Sequence, residues 1–536
     1  MLFVHVNSCF YGVILLSSRR IIVIPYSDIF YIVMNTDEDK NKEYDGYRRV
    51  LKYLGMFGGS HGLSMFLNLV RNKFASVLLG TAGLSLIALF NRTIQMFSEC
   101  TNLSLSFSAI RKMSDTFDNA SEQSVVHCVK VVRSIAVFTG LIGMLLMIIL
   151  SPFMCKWMFG QNSYYLSRFI LLSPVVLFMA VSGGELAILR GIKQFSKVAV
   201  YNFITAFISA LVAVILYFAM GLAGIFPAIF IIAFMQMTVL LYLSLPHYAY
   251  KVQPFSFALL RQGLDMVRMG AGYIYASILT TCAMWLVCTL LSNVGDGTTA
   301  GLFNTGFAMM ALLPGVLFAS MDSEYFPRLS GVAQKTLIRD RIINEQVEVQ
   351  MLTQSPLLIA FIVALPMLIP LLYDGDFAPA VPMAQLAMFG MFMRTMTYPI
   401  SFLPLANNDT MTFVALELVY NILLVSLVVM GYSVCGMWGI GAGLALVHTI
   451  DFVFVYAIAR CKYKFKLSRN VFVYYILQMP LFALSILLLL MLKEGVVYWI
   501  SGVAFVLISF GISTYILQTK SGLFNVLLKR LHLIKK

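Results

Sequence analysis

Apolar runs of about twenty residues recur along this chain, each long enough to cross roughly 30 Å of hydrocarbon as a helix. Windows bounded by Gly, Pro, Asn and charge predict spans near 51–70, 84–108, 133–151, 166–189, 198–218 and 223–244. A second set follows near 268–292, 300–321, 352–373, 382–405, 411–432 and 437–458, and a last pair near 471–492 and 496–517. Composition agrees: 60% of the 536 residues are hydrophobic and 12% charged, against roughly half and about a quarter in soluble domains. A soluble fold of this composition would precipitate. The expected fold class is all-α integral membrane, with about fourteen transmembrane helices.

The net charge of +14 raises the question of nucleic acid, but the basic residues lie between apolar runs and form no continuous stripe with interleaved aromatics. No nucleic-acid partner is expected. Topology accounts for them, because cytoplasmic loops carry the positive excess. With residue 34 onward starting inside, cytoplasmic segments hold 29 of the 38 Lys and Arg, and the outer loops hold only Arg71, Lys73, Lys156, Arg168 and Lys493. Both ends of the core chain are therefore expected in the cytoplasm. Residues 1–33 fit poorly, since Arg19 and Arg20 divide two short apolar pieces, whereas a signal peptide carries its charges ahead of the apolar stretch. Two readings stand for them: a wrongly assigned start, with Met34 opening the chain, or an extra membrane-associated hairpin. The eight cysteines are scattered, without a CxxC pair or a His cluster at metal-ligand spacing. They read as membrane-buried thiols, with neither a disulfide framework nor a metal site.

The chain also repeats itself. Thr81-Ala82-Gly83-Leu84 opens the second span and Thr299-Ala300-Gly301-Leu302 the eighth; Arg111-Lys112-Met113-Ser114 and Arg328-Leu329-Ser330 close the same two. Gly221-Leu222-Ala223-Gly224-Ile225 before the sixth span is echoed by Gly436-Met437-Trp438-Gly439-Ile440 before the twelfth. Each repeat holds six spans, an even number, so both lie the same way up, related by an axis along the membrane normal. The expected organisation is an N-terminal segment (1–50), a first six-helix lobe (51–250), a cytoplasmic linker (251–267), a second lobe (268–460), and two C-terminal helices with a basic cytoplasmic tail (461–536). A substrate would sit in the cleft between the lobes, and the last pair would pack on the periphery.

Several motifs resemble those of the oligosaccharide-lipid flippases, especially bacterial O-antigen translocases, within the multidrug/oligosaccharidyl-lipid/polysaccharide exporter superfamily. They are Gly58-Gly59-Ser60-His61-Gly62-Leu63, Val70-Arg71-Asn72-Lys73, Leu78-Leu79-Gly80-Thr81-Ala82-Gly83, Ser108-Ala109-Ile110-Arg111, Leu189-Arg190-Gly191 and Tyr325-Phe326-Pro327-Arg328-Leu329-Ser330. The likeness covers roughly residues 50 to 460 and specifies the superfamily better than the substrate. It implies a V-shaped pair of helix bundles in the bacterial inner membrane, moving an undecaprenyl-pyrophosphate-linked oligosaccharide from the inner to the outer leaflet. The implied partners are that lipid, the surrounding membrane lipids, and a polysaccharide polymerase or glycosyltransferases. His61 departs from the family pattern and receives no role.

Ionisable groups within the spans are costly, on the order of 3 kcal/mol or more at the bilayer centre, and so invite a functional reading. Arg92, Gln95, Glu99, Asn102 and Ser106 step by three and four and share one face of the second span. That face meets either the cleft, as a substrate surface, or a neighbouring helix, as polar glue. Arg92 and Glu99 lie about 10.5 Å apart along the axis, too far for an easy direct pair. Arg71 adds positive charge at the outer end of the first span, while Lys73 reads as a contact for lipid headgroups. In the second lobe, Arg394 either pairs with Glu417 or joins Arg92 on a pyrophosphate, since a guanidinium takes phosphate oxygens bidentately. Asp451, one turn from His448, either carries a coupling ion or hydrogen-bonds that histidine. Asp322, Glu324 and Glu185 read as solvated ends.

No Gly-Lys dipeptide occurs, so the chain lacks a P-loop for ATP. No cofactor is expected. A membrane glycosyltransferase or polymerase would need a sizeable outer loop bearing acids and arginines, and the outer loops are short; the chain reads as a non-enzyme. A lipid II flippase and a multidrug/cation antiporter of the same superfamily are the alternatives to an oligosaccharide flippase, and an antiporter should show twelve spans and an acidic cavity.

Overall fold

The computed structural model describes residues 12–17, 20–25, 42–102, 105–119, 121–160, 163–253, 271–323, 325–491 and 495–521. Within 1–33, residues Gly12–Ser17 (β1) and Arg20–Pro25 (β2) form a two-stranded antiparallel hairpin, with Ser17 opposite Arg20 and Gly12 opposite Pro25. Most of the linker and the basic tail lie outside the described residues.

The rest is helical. Lys42–Asn102 breaks at Gly80, where φ is +65°, into α1 (42–79) and α2 (81–102). An amphipathic helix, Leu105–Asn119, continues from α2. The next four are α3 (Glu122–Phe159), α4 (Ser163–Gly191), α5 (Phe195–Met220) and α6 (Ile225–Ser244). They are followed by α7 (Ala271–Val294), α8 (Thr299–Ser323), α9 (Thr336–Leu372) and α10 (Ala380–Ala406). Thr410–Tyr463 breaks at Cys435 and Gly436 into α11 (410–434) and α12 (437–463). Arg469–Met491 (α13) and Val496–Ser521 (α14) complete the described chain. Among the described residues, nine continuous stretches are long and apolar enough to cross a membrane; opened at their kinks, and with α8 and α10 added, they give fourteen helices, in line with the number expected.

Several helices outrun their apolar windows. α3 begins at Glu122 and α9 at Thr336, well before the apolar stretches near 133 and 352. Hydropathy reports the length of hydrocarbon crossed, whereas a helix whose backbone bonds are already satisfied continues beyond it into charged sequence.

The internal repeat is visible in backbone geometry. Gly221, between α5 and α6, has φ +56° and ψ −135°; Gly436, between α11 and α12, has φ +57° and ψ −135°. Both occupy a left-handed region that costs a residue with a Cβ about 1–2 kcal/mol, which explains glycine at this point of each repeat. Another repeated glycine, Gly301, works by absence of bulk. A Cβ there would stand 2.6 Å from the Thr81 carbonyl oxygen, so α2 and α8 touch backbone to backbone, and the Gly301 amide donates to Ser85 Oγ at 2.7 Å.

Helices α1–α6 pack mainly on one another, as do α7–α12, and the two lobes meet through α1 and α2 against α7, α8 and α9. The last pair packs on the outside of the second lobe, chiefly on α9. Phe392 of α10 stacks on Tyr475 and Phe482 of α13, at 5.7 and 4.3 Å between centroids. Tyr498 of α14 donates to the Val363 carbonyl at 3.0 Å, and Gln478 joins α13 to Ser509 and Ser513 of α14.

Candidate functional site

The polar stripe of α2 runs along the seam between the lobes. Arg92 donates to Gln95 Oε1 on its own helix and to Asn304 Oδ1 on α8, both at 3.4 Å. Bonds of that length are weak, and they leave donors to spare on a five-donor group. One turn or two further along, Glu99 accepts from Ser277 of α7 at 3.2 Å. Thr93 accepts from the Trp285 indole of α7 at 3.1 Å. Asn102 turns the other way, accepting from Thr139 of α3 at 3.4 Å within the first lobe; the Ser106 side chain lies outside the described residues. The stripe thus faces two ways. Arg92, Gln95 and Glu99 address the inter-lobe surface, and Asn102 acts as glue.

At the end of the bundle that the charge pattern assigns to the outside, the first lobe reaches for the second. Lys73 donates to the backbone carbonyls of Pro370, at 3.2 Å, and Tyr373, at the end of α9, and Asn72 donates to the Tyr373 hydroxyl at 3.5 Å. This corrects the headgroup reading of Lys73: its ammonium caps a helix C-terminus, where free carbonyls and the helix dipole favour a cation. Between α3 and α7, Trp157 meets Trp285 edge-on at 5.0 Å, and Asn293 donates to the Trp157 carbonyl. Arg71 stays inside its own lobe, donating to Ser209 of α5 at 2.8 Å.

Arg394 lies elsewhere. It lines a cavity of about 40 Å³ inside the second lobe, whose walls are Thr397, Tyr398 and Ser401 of α10, Phe413, Leu416, Glu417 and Tyr420 of α11, and Asp451 and Val455 of α12. That space holds a few waters. The guanidinium sits 5.2 Å from the Tyr420 ring and 5.7 Å from the Tyr398 ring, within electrostatic reach of Glu417 and Asp451. No direct Arg394–Glu417 ion pair forms, which corrects one expectation. His448 corrects another: its Nδ1 has no hydrogen-bond partner, and the ring lies tilted 5.7 Å from Tyr420 instead of bonding Asp451. Asn421 joins this lobe's α11 to Thr280 of α7 at 3.4 Å. Arg92 and Arg394 thus face different spaces, the first the seam and the second a chamber walled by α10, α11 and α12.

Sequence reasoning missed the most completely built ionic site. Glu185, read as a solvated end, is 1% exposed and pairs with Arg133 through Nε at 2.6 Å and Nη2 at 3.0 Å. Ser244 donates to the same carboxylate at 2.6 Å. Arg133 also donates to the carbonyls of Tyr248 and Ala249 and lies over the Tyr250 ring at 4.9 Å. One arginine thereby fastens α3, α4, α6 and the segment that follows α6. A net-charge count by loop treats Arg133 as one more cytoplasmic cation; only the register of α3 against α4 reveals its partner. Asp322 and Glu324 lie where side chains are outside the described residues.

No family model matches the sequence, and no curated protein matches it by sequence. Solved structures do match. A lipid II flippase, MurJ, in an inward closed conformation superposes with a TM-score of 0.66 at 12% identity, covering 87% of this chain and 99% of its own. The chain shares that fold. An inward-facing multidrug resistance MATE transporter of the MOP superfamily aligns with a TM-score of 0.57 at 14% identity, over 74% of this chain and 96% of its own. A MOP-superfamily transporter from Pyrococcus furiosus gives 0.51 at 12% identity, over 80% and 99%. The shared architecture is a multi-pass helical membrane fold.

Proposed function

We propose that this protein flips an undecaprenyl-pyrophosphate-linked oligosaccharide, an O-antigen or other surface-polysaccharide unit, from the cytoplasmic to the outer leaflet of a bacterial inner membrane by alternating access. It acts as a carrier and catalyses no covalent step. The observation that carries the reading is Arg92, a loosely bonded guanidinium at the lobe seam, beside Gln95 and Asn304. Such a group meets pyrophosphate oxygens with paired, charge-assisted hydrogen bonds, while amide side chains suit sugar hydroxyls. The flippase fold accounts for 87% of the chain and the MATE structures for 74–80%, which favours the flippase over a multidrug antiporter of the same fold.

In this mechanism the structure is the state closed at the outer end. Bonds between the lobes at Lys73–Tyr373 and Ser85–Gly301 close that end, so the lipid enters from the opposite end. The chamber around Arg394 supplies the coupling element. One guanidinium faces the two carboxylates of Glu417 and Asp451, so the chamber has one more acidic group than basic and can exchange one proton or monovalent cation. Exchanging that ion shifts the balance between the two lobe arrangements.

In a host whose surface glycan depends on this gene, Arg92→Ala should cut surface glycan about tenfold or more at unchanged protein level, since a hydrogen bond to a charged group is worth about 1.5–3 kcal/mol. Wild-type glycan from that variant removes the phosphate role. A lipid II flippase is the second reading, favoured by the similarity to MurJ. It predicts that depleting the protein blocks cell-wall synthesis and lyses cells, whereas loss of an oligosaccharide flippase leaves wall synthesis intact.

A further inference from the structure

Cys100 of α2 and Cys282 of α7 lie with their sulfurs 3.8 Å apart, one thiol from each lobe. Disulfide formation needs the sulfurs to close to about 2.05 Å, a change within the reach of side-chain rotation where the sulfurs already touch. Two flanking contacts fix the register of these helices at the same level: Glu99 with Ser277 and Thr93 with Trp285. Cys100 is exposed and Cys282 partly so, whereas Cys128, Cys155 and Cys288 are buried. Neither sulfur is shielded by a lobe interior; both lie on the seam whose opening transport requires. We propose that Cys100 and Cys282 form an oxidative modification site, a dithiol that two-electron oxidants of the peroxide class convert to a disulfide stapling α2 to α7.

The chemistry closes on groups present. One thiolate of the pair attacks the peroxide O–O bond, giving a sulfenic acid and releasing water after proton uptake. The other thiolate attacks the sulfenyl sulfur and displaces hydroxide, which leaves as a second water. Two thiols and one peroxide yield one disulfide and two waters. The staple holds α2 against α7 and blocks their separation, and thiol reductants release it; this consequence rests on the alternating-access reading, while the bond itself does not.

Membrane vesicles containing the full-length protein, treated with hydrogen peroxide and then alkylated with N-ethylmaleimide, test it by peptide mapping. The expected result is a Cys100–Cys282 linked peptide that disappears on reduction and is missing from Cys100→Ser and Cys282→Ser. Recovery of both cysteines separately alkylated after peroxide, in protein whose other thiols keep their pattern, overturns the site. In the same vesicles, peroxide should stop glycan-lipid translocation in wild type and spare both serine variants. Linked peptide with unimpaired translocation leaves the modification standing and contradicts the movement of α2 against α7; linkage without translocation under any condition counts against the flippase reading alone.

Discussion

At the scale of single residues, charge burial separates structural from functional roles. Arg133→Ala strands Glu185 in a site sealed from solvent, a change that typically costs about 3–5 kcal/mol. The purified variant should melt well below wild type, and Arg133→Met with Glu185→Leu should recover most of the difference; equal melting of wild type and Arg133→Ala would remove the pair from the account. Asp409 makes a different case at the start of α11. Partial burial works against its carboxylate, but bonds from Lys462, Tyr463 and Thr412 outweigh that and hold it well below the usual carboxylate range. A depressed folded value gives stability that is present above the unfolded value and lost as pH falls toward the folded one. Asp409→Asn should therefore lower Tm by a constant amount from pH 8 to pH 5, with the gap narrowing only below about pH 4. A gap that closes between pH 7 and 6 would contradict the assignment. Neither site was legible in the sequence. Glu185 and Arg133 are 52 positions apart, and nothing in a hydropathy window reports which faces of α3 and α4 meet.

At the scale of elements, the sequence was informative wherever the solvent dictated the answer. Apolar windows located every span, because a helix crossing lipid must be continuously apolar, and they missed only the charged extensions of helices such as α3 and α9. The repeat was legible for a backbone reason: Gly221 and Gly436 recur because their left-handed geometry excludes other residues at low cost. Gly436→Ala meets no neighbouring atom, so its penalty is backbone strain of about 1–2 kcal/mol, seen as a lower Tm with glycan output retained. Gly301→Val differs, because bulk there pushes α2 from α8 at the outer end. It should raise labelling of an engineered outer-seam cysteine by a membrane-impermeant maleimide; unchanged labelling would mean that the α2–α8 contact does not form the outer closure.

At the scale of the whole molecule, two lobes of six helices and a peripheral pair set a polar stripe of α2 along the seam between the lobes. The stripe on α2 was found from spacing alone, since residues three and four apart share a helix face. Its partners on α7 and α8 were not, because contacts between lobes depend on a crossing geometry that local pattern does not encode. For the same reason Arg394 looked from sequence like a companion of Arg92, whereas α10, α11 and α12 enclose it with Glu417 and Asp451. The account's central claim is that Arg92 receives the pyrophosphate of a glycan-bearing lipid in the seam. Reconstitution in proteoliposomes with a fluorescent undecaprenyl-pyrophosphate oligosaccharide, scored by the fraction of glycan that a lectin reaches from outside, tests it most directly. The account predicts time-dependent transfer between leaflets by the wild type and about tenfold less by Arg92→Ala, in line with losing a charge-assisted bond. Equal transfer by both proteins, or movement of cationic dyes with no movement of the lipid, would contradict it.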